Sequence, residues 1–433
     1  MYNLIVNDFR CFGGLHRIPI HPLTILVGEN SSGKSSMLAA LRLAWDTCFG
    51  HGSPNFNEEP FDLGSYREIA NWPGGAAGRA AKFELGLEFE PSSRAADSPL
   101  PSASPIWLKG KYVIKGGQPT FAEWSCGVDR YSLTWDFGNK SVVAQPGTMT
   151  WKPREFPQVG PQFLLDYWQL IVHGPFHTEP SEPPRTPEQA QTLKVLEALT
   201  SAVRVHTPVP QRPTAIAPVR TSPQRVYKPA RDIPKPGGDH VPYVLASTQV
   251  GDPAALQELL KNLSAYGAAC GLFQGLKVKK FDAEGQVFQL LVKLTGPHRN
   301  IVDVGYGVSQ ALPILVEALR NPSATFLIQQ PEVHLHPRAQ AELGSFFGRL
   351  ASQGKGRFVL ETHSDYLVDR VRIDVRDRKS PLPALVSILF FERRGHEVKV
   401  HPIELDERGN LRNRPRGYRT FFLQEERRLL QGV

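Results

Sequence analysis

The chain has 433 residues, 41% of them hydrophobic and 21% charged, which excludes a globally disordered chain and suits two or three domains or one large sheet with insertions. A net charge of +8 and a pI near 9.3 suit a nucleic-acid or phosphate-rich partner, and serve equally as a solvated surface. No apolar run reaches the ~18 residues of a membrane span, and Cys11, Cys48, Cys126 and Cys270 lack zinc or disulfide spacing, so a cytoplasmic setting is expected.

The N-terminus reads as a first strand rather than a leader. Residues 2–27 carry two strand-like runs on either side of Phe9-Arg10-Cys11-Phe12, where Arg10 stands either within reach of a ligand or as an ordinary surface residue. Leu23-Thr24-Ile25-Leu26-Val27 is a buried strand by its β-branched, apolar character. Gly28-Glu29-Asn30-Ser31-Ser32-Gly33-Lys34-Ser35-Ser36 follows and fits G-x-x-x-x-G-K-[ST], the phosphate-binding loop of nucleoside triphosphatases. Gly28 and Gly33 permit a tight turn, so that N–H groups from Asn30 and Ser31 through Ser36 converge on phosphate oxygens. Lys34 is the point charge for the β and γ phosphates, and the Ser35 hydroxyl is an oxygen ligand for Mg²⁺. A helix over 36–44 aims its N-terminus at the anion. ATP and Mg²⁺ are therefore the expected cofactors.

Residues 82–89 alternate, placing Phe83, Leu85, Leu87 and Phe89 on one face. Further alternating runs at 112–115, 120–126, 131–137 and 141–144 make an antiparallel β region. A short helix is expected over 164–172. From 174 to 242 frequent prolines interrupt a helix-periodic stretch at 188–205, which reads as an inserted, Pro-rich helical lobe with apolar anchors near Ile216 and Tyr227. Asp252-Pro253 is a helix start, with helix to about residue 270. Runs at 276–281 and 287–294 read as a hairpin joined through 282–285.

Signal becomes dense again from residue 301. Gly305-Tyr306-Gly307-Val308-Ser309-Gln310 precedes an apolar helix over 311–319. A buried strand at 324–328 ends in Gln329-Gln330-Pro331-Glu332, then come Val333-His334-Leu335-His336-Pro337, a helix over 338–350, a strand at 357–360, and Glu361-Thr362-His363-Ser364. A metal pair at His334 and His336 is disfavoured by their spacing and the missing third ligand, and a structural turn is expected there.

These four motifs, in this order, resemble ABC-type ATPases of the RecF, SMC and OLD (overcoming lysogenization defect) kind. The resemblance is greatest to the OLD-like ATPase subunits of anti-phage systems such as Septu and PARIS, and 216–227 resembles a Pro-x-Arg segment found there. It covers both ends of the chain and the middle only loosely. It implies an α/β fold: an ABC-type head with a mixed, largely parallel sheet core, an antiparallel β subdomain and the inserted lobe. The implied domains are 1–173, 174–300 and 301–433. It implies composite sites across a homodimer or higher oligomer, in which one copy's phosphate loop binds ATP and the other's Gly305, Gly307, Ser309 and Gln310 close over it. His363 would hold the γ-phosphate or the attacking water.

The chain departs from the family at the Walker B pair. Gln329 stands where an acid holds the Mg²⁺ shell, and Gln330 where a glutamate activates water. An amide orients water but takes no proton, and it adds no charge for the metal. ATP binding and dimerisation with slow hydrolysis are expected, with Glu332 as the nearest remaining carboxylate. The region after His363 reads as strands at 386–391 and 397–405 and a basic tail helix at 420–430, with Arg408, Arg412, Arg414, Arg416, Arg419, Arg427 and Arg428, in place of the Toprim nuclease domain of OLD proteins. No sustained heptad run for an SMC-length coiled coil is present. A separate effector, a nuclease, is the expected partner; direct DNA binding of the RecF kind and an ATP-glued, non-hydrolysing scaffold are the competing readings.

Overall fold

The structure, a computed structural model, describes residues 1–74, 78–90, 99–101, 104–152, 163–165, 186–205, 211–228, 233–281 and 287–415, together with 417, 418, 420, 424, 427 and 428. In chain order the elements are β1 (Tyr2–Phe9), β2 (Phe12–Ile20), β3 (Leu23–Gly28), α1 (Lys34–Phe49), β4 (Asn57–Glu58), β5 (Phe61–Asp62), α2 (Tyr66–Ile69), β6 (Lys82–Phe89), β7 (Ile106–Lys115), β8 (Gln118–Val128), β9 (Tyr131–Asp136), β10 (Ser141–Gln145), β11 (Met149–Trp151), α3 (Pro187–Val205) and β12 (Thr214–Ile216). Then follow α4 (Val241–Gly251), α5 (Pro253–Cys270), β13 (Gly275–Lys280), β14 (Phe288–Lys293), β15 (His298–Asn300), α6 (Tyr306–Arg320), β16 (Thr325–Gln329), α7 (Pro337–Ser352), β17 (Arg357–Glu361), α8 (Asp365–Arg376), β18 (Val386–Arg394), β19 (Glu397–Leu405) and β20 (Leu411–Arg412). They form two compact units, one of 1–20, 31–212 and 393–400, the other of 21–30, 213–392 and 401–433.

The first unit is built on an eight-stranded sheet in the order β11-β10-β9-β8-β7-β6-β1-β2. Its pairings are antiparallel. The alternation of 82–89 does what its period requires: Phe83, Leu85, Leu87 and Phe89 are all buried. Phe83 stacks on Tyr112 with ring centroids 5.0 Å apart. Helix α1 packs on this sheet, where the Thr47 hydroxyl meets the Tyr112 hydroxyl at 2.7 Å and Trp124 Nε1 donates to the Thr47 carbonyl at 3.0 Å. Trp124 is fully buried, so Trp124→Ala is expected to cost about 3–5 kcal/mol. Urea unfolding measures this, and a loss below about 1 kcal/mol would remove Trp124 from the core argument. The outer side of α1 is held by charge. Arg212 forks to Asp46 (2.7 Å) and Glu58 (2.6 Å), and buried Arg42 pairs with the same Glu58. The hydrogen bond from Arg212 holds the Glu58 carboxyl below its ordinary range.

The expected second strand-like run divides into β2 and β3 at His21-Pro22. Pro22 has no N–H to give a ladder, and the Thr24 hydroxyl brackets the break by accepting from His21 N (2.9 Å) and donating to His21 O (3.1 Å).

The second unit holds the parallel strands. The sheet order is β12-β16-β17-β3-β18-β19-β20, and the pairings β12–β16, β16–β17, β17–β3 and β3–β18 are parallel. One face, with Ile25, Phe326, Ile328, Phe358, Leu360 and Ile388, joins a single core cluster with side chains of α4 to α8. The alternate residues Leu26, Leu327, Val359 and Leu389 are also fully buried. Both faces are therefore covered, which is why these strands read as continuous apolar runs without alternation. The fold class is α/β with a separate antiparallel sheet, as the sequence reading expected.

Local signals place the flanking helices. Asp252 caps α5 by accepting from Ala255 N at 3.0 Å, and Pro253 occupies its first turn. The hairpin β13–β14 is present, with its connecting residues 282–286 outside the described part. Of the helix expected at 164–172, residues 163–165 are helical and the rest lies outside the described residues, as do 174–185 of the Pro-rich stretch. Most of the expected tail helix, with Arg416 and Arg419, lies outside them too. Among the described residues no helix is long and apolar enough to cross a membrane, and Cys11, Cys48, Cys126 and Cys270 are all free thiols.

Candidate nucleotide-binding site

The phosphate loop is built by β3, which ends at Gly28 with φ 146°, beside β17 and β18. Glu29, Asn30 and Ser31 are exposed, and the backbone turns through left-handed conformations at Ser31 (φ 59°) and Gly33 (φ 98°). Gly33 is demanded twice. A side chain there is strained at that φ, and its Cβ would stand 2.5 Å from Cys11 Sγ. Burial pushes the Cys11 thiol up to about 11, so this sulfur is a packing group under the loop. Helix α1 starts at Lys34 with no side chain capping its N-terminus. The first-turn N–H groups of a helix have no acceptor within the helix, which makes such an end suited to an anion. Lys34 is 3% exposed, Ser35 is exposed, Ser36 is half-buried, and the buried Ser32 hydroxyl has no hydrogen-bond partner. An uncapped helix N-terminus after a left-handed loop fits a polyphosphate.

The Walker B region is a separate cluster inside the second unit. Gln329 ends β16 in register with Glu361 of β17, and Glu361 is in register with Leu26 of β3. Gln330 turns sharply (φ 44°), and its N–H bonds the Glu361 carbonyl at 2.8 Å. Gln329 is 8% exposed, and its Oε1 has no hydrogen-bond partner. Glu332 lies one residue past Pro331. Its Oε1 accepts the His363 N–H at 2.7 Å and the Thr362 hydroxyl supports it, while its Oε2 is buried without a hydrogen-bond partner. Burial raises the Glu332 carboxyl above its ordinary range. His363 itself is exposed at the start of the loop into α8.

Arg220 was legible only as part of the Pro-x-Arg segment, with no role attached. The structure buries it to 2% exposure, with Nη2 donating to the carbonyls of Gln329 (3.2 Å) and Gln330 (3.1 Å). Its Nε and Nη1 have no hydrogen-bond partner, and burial lowers its pKa to about 10 against the opposing pull of Glu332. The buried guanidinium and carboxylate thus stand in each other's field, and each keeps polar atoms without a hydrogen-bond partner.

The signature residues lie in helix α6, which begins at Tyr306 and so takes in part of the motif expected to precede it. Ser309 Oγ donates back to the Tyr306 carbonyl at 2.8 Å, which satisfies it within the first turn. Gly305 is exposed, and a Cβ there would meet nothing. Gly307 is buried instead: a Cβ would stand 2.9 Å from the His334 carbonyl. Gln310 is 1% exposed and reaches the Arg220 carbonyl at 3.5 Å. His334 packs edge-on against Tyr306 at 5.0 Å, and His336 Nδ1 caps α7 by accepting from Arg338 N. Signature helix, Arg220 segment and Walker B turn thus form one connected group.

Ser35 carries a hydroxyl oxygen and Gln329 an amide oxygen, each of the hard kind that Mg²⁺ accepts, and the amide brings no charge. A hard divalent cation favours at least one carboxylate. ATP's own phosphates would supply most of the ligands, and the metal would neutralise their charge on binding.

Residues 23–97 and 247–369 match the family described as "AAA domain, putative AbiEii toxin, Type IV TA system". The two blocks take in β3, the phosphate loop, the signature, the Walker B segment and His363, and leave out Arg220. No curated protein matches the chain in sequence. Among solved structures, an SMC head bound to the C-winged helix domain of ScpA is 12% identical, covering 94% of this chain and 98% of its own, at a TM-score of 0.48. An Smc head with an extended coiled coil, bound to the C-terminal domain of ScpA from Pyrococcus furiosus, is 10% identical, covering 99% and 100%, at 0.45. The SMC head domain from Thermotoga maritima is 10% identical, covering 93% and 98%, at 0.42. Motif order, a parallel sheet with the loop strand at its centre and the match to an AAA-domain family agree on a P-loop nucleotide-binding domain.

Proposed function

We propose that the chain is an ATP-gated switch subunit that binds MgATP, pairs with a second copy, and hydrolyses slowly while it holds or releases a separate effector in anti-phage defence. The carrying observation is the Walker B turn: loop and signature are intact, yet both positions meant for acids are amides, with Gln329 buried and Gln330 turned by a left-handed backbone. Such a site favours ATP retention over turnover. Glu332 is the base that remains. It is fixed to the His363 backbone, and its raised proton affinity suits it to take a proton from water. The toxin–antitoxin description of the matched family supports a place in defence. The effector, a nuclease in this reading, follows from the resemblance to stand-alone ATPase subunits.

Pairing gives the test. Gly305 is exposed with open space around its Cβ position, which suits close approach of a second copy's phosphates. Sedimentation should show a dimer with ATP and a monomer with ADP. Gly305→Asp should keep ATP affinity within about threefold yet remain monomeric, because its carboxylate would face the phosphates. An ATP-bound parent chain that stays monomeric at tens of micromolar would overturn the switch reading.

A further inference from the structure

The acid missing from Gln329 has a neighbour that can replace it. Gln329 and Glu361 are register partners on adjacent parallel strands, so their side chains leave the same face of the sheet, roughly 5 Å apart at the backbone. That face is the one turned from the core cluster, since Ile328 and Leu360 occupy the other. Glu361 is also the register partner of Leu26, two residues before Gly28 opens the phosphate loop. Both side chains are more than nine-tenths buried, Gln329 at 8% and Glu361 at 5% exposure. The Gln329 amide oxygen has no hydrogen-bond partner, and an orphaned buried acceptor is costly. An unsatisfied oxygen beside a buried carboxylate at the end of the loop strand is a combination that a cation resolves.

Glu332 does not fill this position. It lies beyond the strand end, and its Oε1 accepts the His363 N–H.

We propose that Glu361 carries the Walker B charge in this chain: in the nucleotide complex its carboxylate, with the Gln329 amide oxygen as neutral partner, holds the Mg²⁺ shell. The acid has moved from the end of one strand to the same level of the next. The inference rests on the ATP-binding reading. It gives Glu361 a positioning role toward the metal and leaves proton abstraction to Glu332.

Mn²⁺ titration by electron paramagnetic resonance, with a non-hydrolysable ATP analogue on the full chain, tests it without relying on turnover. Glu361→Gln should weaken Mn²⁺ binding at least tenfold, while analogue affinity in EDTA stays unchanged. The exchanged pair Gln329→Glu with Glu361→Gln should restore Mn²⁺ binding, since it returns the acid to the neighbouring strand. Gln329→Glu alone, which sets two carboxylates side by side, should tighten Mn²⁺ binding. Wild-type Mn²⁺ affinity in Glu361→Gln, or no recovery in a folded exchanged pair, overturns the proposal. Unchanged Mn²⁺ affinity in Gln329→Glu overturns it as well. Failure of the parent chain to bind the analogue even in EDTA would sink the ATP-binding reading itself and the inference with it.

Discussion

Glu332→Gln should lower ATP turnover by about 10²–10⁴-fold, the range for removing a general base, and at the same time raise the melting temperature at pH 8. The two effects share one cause. Burial raises the carboxyl above its ordinary 4.5, even with the His363 N–H, the Thr362 hydroxyl and Arg220 favouring the charged form. The folded state therefore binds a proton more readily than the unfolded state does. Stability is lost as pH rises through the raised folded value, and the full cost of holding the ionised group is present above it. Glutamine keeps the Oε1 acceptor and removes the charge. The expected gain is roughly 1 kcal/mol at pH 8, shrinking to nothing as the pH falls below about 4.5, where both states of the parent chain are protonated. Phosphate-release kinetics and melting curves from pH 4 to 8 check both halves. Unchanged turnover would remove Glu332 as the base. A lower melting temperature at pH 8 would show that its charge is better paid for by Arg220 than the burial suggests.

Lys34→Ala should weaken ATP binding by about two orders of magnitude. A hydrogen bond to a charged group is worth about 1.5–3 kcal/mol, each 1.4 kcal/mol is tenfold, and a P-loop lysine meets both β and γ phosphates. Lys34 is 3% exposed at the first position of α1, and it is the one lysine within residues 28–36. The loss should be smaller for ADP, which lacks the γ phosphate. Equilibrium titration with a fluorescent ATP analogue measures this. A loss below threefold would mean that the loop backbone and helix N-terminus carry the binding without the lysine.

The two variants separate gripping from breaking. Lys34→Ala should abolish ATP-driven pairing along with binding, whereas Glu332→Gln should leave the paired state longer-lived. The parent chain, with Gln329 and Gln330 already in place, stands between these behaviours.

The elements that carry the candidate site were legible where their signals are local. The phosphate loop needs glycine where the backbone goes left-handed, and Gly33 meets that need at φ 98°. Helix α5 was announced by Asp252-Pro253, and strand β6 by its alternation. These signals depend on residues a few positions apart. Strand β3 was legible from Leu23-Thr24-Ile25-Leu26-Val27, and the structure ends β2 at Ile20, ahead of Pro22, which has no N–H to give a ladder. The start of α6 was missed because glycines at 305 and 307 read as loop, while Gly307 lies in the first turn of the helix, where its missing side chain lets the His334 carbonyl approach.

By itself the sequence determined the motifs: a G-x-x-x-x-G-K-[ST] loop, a glycine-containing signature, a Thr-His-Ser segment, and two amides before Pro331-Glu332. Only the tertiary structure decided what surrounds that pair. Arg220 reaches the Gln329 and Gln330 carbonyls from 109 and 110 residues away, Glu332 is tied to His363 across 31, and Glu361 stands beside Gln329 by strand register. The physical reason is that parallel strands are joined by long crossovers. Neighbours across the sheet are far apart along the chain, and no spacing in the sequence records which carboxylate will lie next to which amide.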